Sequence, residues 1–442
     1  VKLEAIPVPM SDEEDLGGSA LRKRSRLRRW GTAWIGLSMV TAVQAQRTDV
    51  WDLPPLRYSD TVATGRVTEI AKRLESGEIP LRGKSPLEKL RFVLEELDVP
   101  ESSQVLVFSK TSKQIDRIDP QNPRCLFFSE NAYVGYVPGG AIEVIVHDAV
   151  LGPVFYLIEL EGPQGLAIQR DTSDCLSCHG TTRTEGVPGV FVRSVFPDAR
   201  GQALLALGSV TVTHETPIEE RWGGYYVTGG SFHPHLGNRT FDESEPVRPT
   251  KQDLTTLEGR INVGKYPRPT SDVVALVVLE HQCRVHNLLT AASVNYQRAR
   301  FLAELVNPQA DPDAGQAGRV ADAAAEKVVD ALLFKNEADL GEGLEGERAF
   351  QDDYLLQFPK SSSGRSLADF KLYRRIFKYR CSCMVYSSAF EHLPSRVKRA
   401  VIGRLGEALS DGNEDIAPHL GRSEKKRIRK ILSETLPAWK LY

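Results

Sequence analysis

The sequence predicts a mixed α+β protein, in which a sheet-bearing amino-terminal part runs into a mainly helical carboxyl-terminal part. Three observations carry that reading. Five short runs rich in β-branched and aromatic residues, at 105–108, 125–128, 133–137, 142–146 and 154–158, are parted by turn residues such as Pro138-Gly139-Gly140 and Gly152-Pro153. From Ser271 onward, Val274, Val277, Val278, His281, Val285, Leu288 and Ala292 recur at intervals of three and four. A chain of 442 residues with 41% hydrophobic and 26% charged side chains has ample material for a large core, which excludes a wholly disordered or collagen-like chain. The formal charge of -2 argues against a general nucleic-acid binder.

Taken in order, residues 1–45 read as a targeting segment with an amino-terminal extension. A basic block at 22–29 precedes an apolar run of 14 residues at 30–43, and Val43-Gln44-Ala45 supplies a small-residue cleavage site. That run falls short of the ~20 residues of a membrane-crossing helix. The expectation is a signal peptide, a mature chain beginning near Gln46 without a transmembrane helix, and a periplasmic or otherwise exported bacterial protein.

Residues 46–160 form an α/β region. Ser85-Pro86-Leu87-Glu88 is a capping box with proline at the first helical position, and Leu87, Leu90, Val93, Leu94 and Leu97 make one helical stripe that Pro100 ends. Residues 161–270 hold strand-like pieces around 190–195 and 203–207 and a glycine-rich aromatic stretch from Arg221 to Gly230. Its Trp222, Tyr225 and Tyr226 read as core packing, and 242–271 reads as surface loop. Residues 271–360 begin with the long helix, ending near Leu305, then a loop at 307–318, a helix at 320–334 and an acidic linker. Residues 361–442 show helical patterns around 366–380, 394–409 and 423–435. Charge divides sharply here: 46–360 carries -13 and 361–442 carries +9. The basic module is expected to pack on the acidic body, with contact to an acidic partner or a membrane periphery as the alternative.

One motif carries chemistry. In Cys175-Leu176-Ser177-Cys178-His179, two thiols lie at the spacing that adds to the two vinyl groups of one haem, and the histidine that follows lies under the ring as a ligand to iron. Cys175 and Cys178 are thus the expected thioether residues, His179 the proximal ligand, and one covalent haem c the cofactor. Export agrees with this, because c-type haem is attached outside the bacterial cytoplasm. A thioredoxin-like site would open a helix after a strand in a different pattern, and zinc would need two more ligands.

The distal side is open to several readings. Met10 and Met39 precede the predicted cleavage point, and Met384 lies some 200 residues past the motif, so a small all-α class I cytochrome c is not expected. His281, on the apolar stripe of the long helix, is the first distal candidate. His235, in a glycine-rich loop, is the reserve, and an open site is the alternative. Cys125 and Cys283 read as free buried thiols, and Cys381 and Cys383 are too close in sequence to bridge easily.

Several further stretches recur in order alongside the motif. They are Phe108-Ser109-Lys110-Thr111-Ser112, residues 152–156, Gly186-Val187-Pro188-Gly189, Arg193-Ser194-Val195-Phe196-Pro197, residues 221–229 and His235-Leu236-Gly237-Asn238. Val278-Leu279-Glu280-His281-Gln282, His286-Asn287 and Gly364-Arg365-Ser366-Leu367 complete the set. Together they resemble a group of large exported bacterial proteins with a single Cys-x-x-Cys-His site, described only as cytochrome c domain proteins. The resemblance spans most of the mature chain and implies that His235, His281 and His286 belong to the family pattern. It implies little about reaction, the group being functionally uncharacterised. At Arg380-Cys381-Ser382-Cys383-Met384 the chain departs from the pattern of Pro, Cys, Ser and bulky apolar residues, which counts against Cys383 and Met384 as ligands. A looser likeness, to PAS-like domains bearing c-type haem, is analogy at the level of fold.

The expected function is periplasmic electron transfer through one covalent haem to a protein redox partner. A haem sensor or ligand-binding module is the alternative, supported by a chain far larger than one electron-carrying haem requires. A peroxidase-like oxidoreductase is the third reading, and no catalytic constellation beyond the haem motif is visible.

Overall fold

The sheet-bearing part includes β1 (Val105–Val107), β2 (Arg124–Phe128), β3 (Ala132–Tyr136), β4 (Ile142–Asp148), β5 (Gly152–Glu159), β6 (Ala167–Asp171), β7 (Val192–Val195), β8 (Ser209–Val212) and β9 (Tyr225–Tyr226), and Gly230–Ser231 pairs with Leu344–Glu345 in a short ladder of its own. The structure, a computed structural model, describes residues 49–441 apart from 232, 310, 312, 413 and 414. The signal segment expected at 1–45 lies outside the described residues. Seven strands pair antiparallel in the order β6-β5-β4-β3-β2-β1-β9, and β7 pairs with β8 separately. Two further strands, Phe370–Tyr373 and Arg375–Phe377, form a hairpin in the carboxyl-terminal module.

Alternation along the strands gives the sheet two buried faces. Cys125, Phe127, Val134, Tyr136, Val144 and Ile158 point to one side. They share a core with helices α1 (Arg66–Glu75) and α2 (Pro86–Glu96), through Val67, Ile70, Leu90 and Val93. The capping box at the start of α2 is formed, with Ser85 Oγ accepting from Glu88 N–H, a contact that contributes ~1 kcal/mol. Val105, Val107, Phe128 and Tyr133 point to the other side, toward the long helix α4 (Val273–Val306). The Asp272 carboxylate caps α4 by accepting from Ala275 N–H at 2.8 Å.

Helix α4 is the spine of the second core. At 34 residues it is about 51 Å long. Helix α5 (Gly315–Leu332) lays Ala317, Ala321, Ala325 and Val328 in the same core, with α6 (Arg348–Leu356), α7 (Ser388–Glu391), α8 (Ser395–Leu409) and α9 (Arg422–Thr435) completing the helical half. Glu280, Gln282, Arg284 and His286 interrupt the apolar run of α4. Among the described residues no helix is long and apolar enough to cross a membrane.

The fold is therefore α+β, with a seven-stranded antiparallel sheet and a helical carboxyl-terminal region. Several local expectations are corrected. Residues 203–207 hold a 3-10 turn (Leu205–Leu207), and the strand begins two residues later at Ser209. The helical pattern at 366–380 is the Phe370–Phe377 hairpin. Leu372 and Arg374 sit at φ 53° and 61°, a left-handed turn that no helix accommodates. Strand β6 and helices α1 and α6 are not among the elements the sequence predicts, although Val67, Ile70 and Leu74 of α1 recur at three and four residues.

Candidate haem-attachment site

The motif sits on a single helical turn. Helix α3 (Leu176–His179) is entered through Cys175, itself in helical conformation, whose carbonyl accepts from Cys178 N–H at 3.2 Å and His179 N–H at 2.9 Å. Positions separated by three and four residues share a helix face, so Cys175, Cys178 and His179 project to one side. Asp171, at the end of β6, fixes where the turn begins. Its Oδ1 accepts from Ser173 N–H at 3.0 Å and Cys175 N–H at 3.1 Å, and Lys113 Nζ reaches its other oxygen at 3.3 Å. Partial burial raises the Asp171 pKa, but those N–H groups and Lys113 outweigh it and hold the carboxyl below its usual range. Burial, then the carboxylates of Asp171 and Glu143, push Cys175 up to about 12, so it is a thiol. Cys175 and Cys178 are both free of disulfides.

The segment after the motif folds back to hold the histidine. Gly180 leaves room for Trp51, whose Cη2 would lie 2.3 Å from an added Cβ. Gly189 N–H donates to the His179 carbonyl at 2.9 Å, and His179 Nδ1–H donates to the Gly189 carbonyl at 2.8 Å. A carbonyl can only accept, so the ring carries its proton on Nδ1 and presents the Nε2 lone pair. The half-buried ring lies between Phe155 of β5 and Phe191, with centroids at 5.3 and 5.1 Å. Burial, with the Arg124 guanidinium nearby, keeps its pKa below the usual imidazole range. The loop is tied in turn to α4: Asn287 Oδ1 accepts from Val190 N–H at 2.9 Å, and its Nδ2–H donates to Val190 O at 2.7 Å.

The sheet beside His179 offers apolar floor and cationic rim. Leu126, Ile145 and Leu157 are half-exposed on the face that carries Phe155. Between Leu126 and Glu143 the register places Gly135. A Cβ there would crowd Glu143 Oε2 at 3.2 Å and Leu126 Cδ2 at 3.4 Å. Arg124 pairs with Glu143 at 3.1 Å, yet its Nε–H is buried without a partner, as is that of Arg193 on β7. A groove of about 300 Å³, walled by Thr182, Arg183, Val190, Phe191, Cys283 and Arg284, separates the loop from α4.

The two distal candidates are engaged elsewhere. His281 is buried, with its Nδ1 3.1 Å from His214 Nδ1 and its Nε2 2.7 Å from Ser382 Oγ, and its ring stacks on Phe334 at 3.8 Å. It faces the carboxyl-terminal module, whereas Cys283, Arg284 and Asn287 of the same helix face the motif loop. His235 is buried against Trp222, its Nδ1 accepting from Gly237 N–H at 3.0 Å. No hydrogen bond or ring contact joins either to His179. The structure thus brings Cys175, Cys178 and His179 together and leaves His281 and His235 apart from them. His286, also in the sequence pattern, joins Tyr133 (3.0 Å) and His147 (3.2 Å). Among the described residues no group of three or more His, Cys, Asp or Glu is placed to hold a metal ion. Arg193 and Asn287 stand in the recurring stretches without an assigned role and Arg124 stands in none, because their roles depend on long-range contacts with no local signature. Compared with known proteins, the chain matches no family model, no curated protein and no solved structure.

Proposed function

We propose that this chain is an exported c-type haem protein that carries electrons to a protein redox partner, with the haem bound covalently through Cys175 and Cys178 and its iron held by His179. The observation that carries the proposal is the histidine itself. Its Nδ1 is spent on the Gly189 carbonyl and its Nε2 is presented beside two free thiols on the same face of one turn. The surroundings fit the group. Leu126, Ile145, Leu157, Phe155 and Phe191 supply apolar contact for a macrocycle. The unpartnered Nε–H groups of Arg124 and Arg193 suit its two carboxylates. The haem supplies one-electron chemistry when bound, and the protein's part is ligand orientation, burial and charge. The signal segment, the exported location and the likeness to large cytochrome c domain proteins belong to the same proposal. So does partner contact through the basic module, where Lys426 and Arg427 are exposed on α9.

A second reading, a haem sensor or ligand-binding module, is favoured by one observation: His281 and His235 are both committed to hydrogen bonds within the core. The test is the absorption spectrum of the reduced, haem-loaded protein with and without carbon monoxide. Electron carriage predicts a six-coordinate spectrum that carbon monoxide leaves unchanged. Rapid carbon monoxide binding overturns that role in favour of the second reading.

A further inference from the structure

We infer that Asn287 is a positioning residue for the iron ligand: through Val190 and Gly189 it holds the carbonyl that accepts the His179 Nδ1 proton. This rests on the haem reading above and goes beyond it, assigning to a helix residue that touches neither thiol nor imidazole the control of the ligand's orientation and basicity.

The chain of contacts is short and closed. Asn287 is buried at 4% exposure, one helical turn past Cys283 and Arg284 on the face of α4 that meets the motif loop. Its carboxamide satisfies both backbone groups of Val190, accepting from N–H at 2.9 Å and donating to O at 2.7 Å. Only a side chain with an acceptor and a donor side by side does both. The preceding residue is pressed against it: a Cβ on Gly189 would lie 2.3 Å from Asn287 Oδ1 and 2.9 Å from Thr184 Cβ. Glycine is required there by close approach, since its φ is not in the left-handed region. Gly189 then meets His179 twice, N–H to the backbone carbonyl at 2.9 Å and O to Nδ1 at 2.8 Å. The peptide that fixes the imidazole is thus gripped on one side by the motif and on the other by α4.

The consequence follows from the chemistry of ligating histidines. A firm Nδ1–H···O=C bond fixes the ring and makes Nε2 a stronger donor, which favours ferric over ferrous iron. Loosening it raises the reduction potential. Losses of such outer partners typically change metal affinity ~10-fold or more. A tenfold change in the ferric-to-ferrous preference corresponds to about 59 mV in a one-electron couple.

The experiment compares the haem-loaded wild type with Asn287→Leu, Asn287→Ala and Gly189→Ala, first by intact mass and then by redox titration and the ferrous iron–histidine stretching band. Asn287→Leu keeps the approximate shape but removes both the acceptor and the donor that meet Val190. Gly189→Ala drives a methyl into the carboxamide without substituting any residue of α4. The expected result is a higher potential in all three, by the equivalent of about tenfold, with the stretching band, where the ferrous iron is five-coordinate, moved down. In the Gly189→Ala/Asn287→Ala pair the shift should be smaller than the sum, because the second change removes the atom the first collides with. A purely structural anchor would lower the unfolding midpoint and leave potential and band in place, and that outcome overturns the inference. If Asn287→Ala does not fold, Asn287→Leu and Gly189→Ala carry the same test. A wild type without covalent haem overturns the haem reading, whereas a haem-bearing wild type with unshifted variants overturns this inference alone.

Discussion

At the scale of single residues, the site separates histidines that look alike in sequence. His179 and His281 both lie on helical turns, but His179 spends one nitrogen and His281 spends two. That difference makes the distal question testable. His281→Ala removes a buried ring stacked on Phe334 and leaves His214 and Ser382 without their partner. It should cost about 2–4 kcal/mol in urea unfolding while leaving the visible spectrum of the haem-loaded protein unchanged. A spectrum that turns high-spin on this substitution would make His281 an iron ligand and contradict the arrangement described. The Cys-x-x-Cys-His motif was legible as a motif because its logic is local, three side chains within five positions. The role of Asn287 was not, although the residue stands in a recurring stretch, since its partner Val190 is 97 residues away in sequence.

At the scale of elements, α4 connects everything. One side of it grips the motif loop through Asn287, another meets the sheet through His286 and Tyr133, and a third holds a buried ion pair. Arg221 Nη1 donates to Glu280 Oε2 at 2.6 Å and Trp222 Nε1–H to Oε1 at 2.8 Å, with both charged side chains essentially unexposed. Two more guanidinium N–H groups, on Nε and Nη2, reach the carbonyls of Thr216 (2.8 Å) and His214 (3.2 Å). Burial raises the Glu280 pKa, against the pull of Arg221 and Trp222. Removing one partner strands a buried charge, so Glu280→Ala should lower stability by about 3–5 kcal/mol in urea unfolding. The Arg221→Met/Glu280→Leu pair should lose much less than the two single losses combined. Equal and additive losses would mean that the pair does not act as a unit. Element by element, long periodic segments were legible. The α4 stripe predicted its start and end within two residues, and the five sheet runs each became a strand. The 366–380 segment misled because Phe370, Leu372, Ile376 and Phe377 satisfy helical spacing as well as a hairpin's. The left-handed residues that decide between them carry ordinary side chains, not glycine.

At the scale of the whole molecule, charge and core tell one story. The acidic body and basic module meet through apolar side chains: Ile376, Phe377 and Val385 are buried in the core that contains α4 and α5. Polar ties such as Arg396–Asp322 (2.7 Å) and Arg374–Asp339 (3.3 Å) lie at the rim, where exposed pairs contribute ~0–1 kcal/mol. The motif turn lies at the surface beside the sheet, with Cys178 exposed, and the loop that follows it is tied to the helical half through Asn287. Attachment of the haem is the claim on which the rest depends. Its most direct test is the intact mass of the chain produced in a host able to mature c-type haem, before and after acid-acetone extraction. Covalent attachment gives a polypeptide heavier by one haem, a gain that survives extraction and disappears in the Cys175→Ser/Cys178→Ser double variant. An unmodified mass, or haem released into the organic phase, would contradict it.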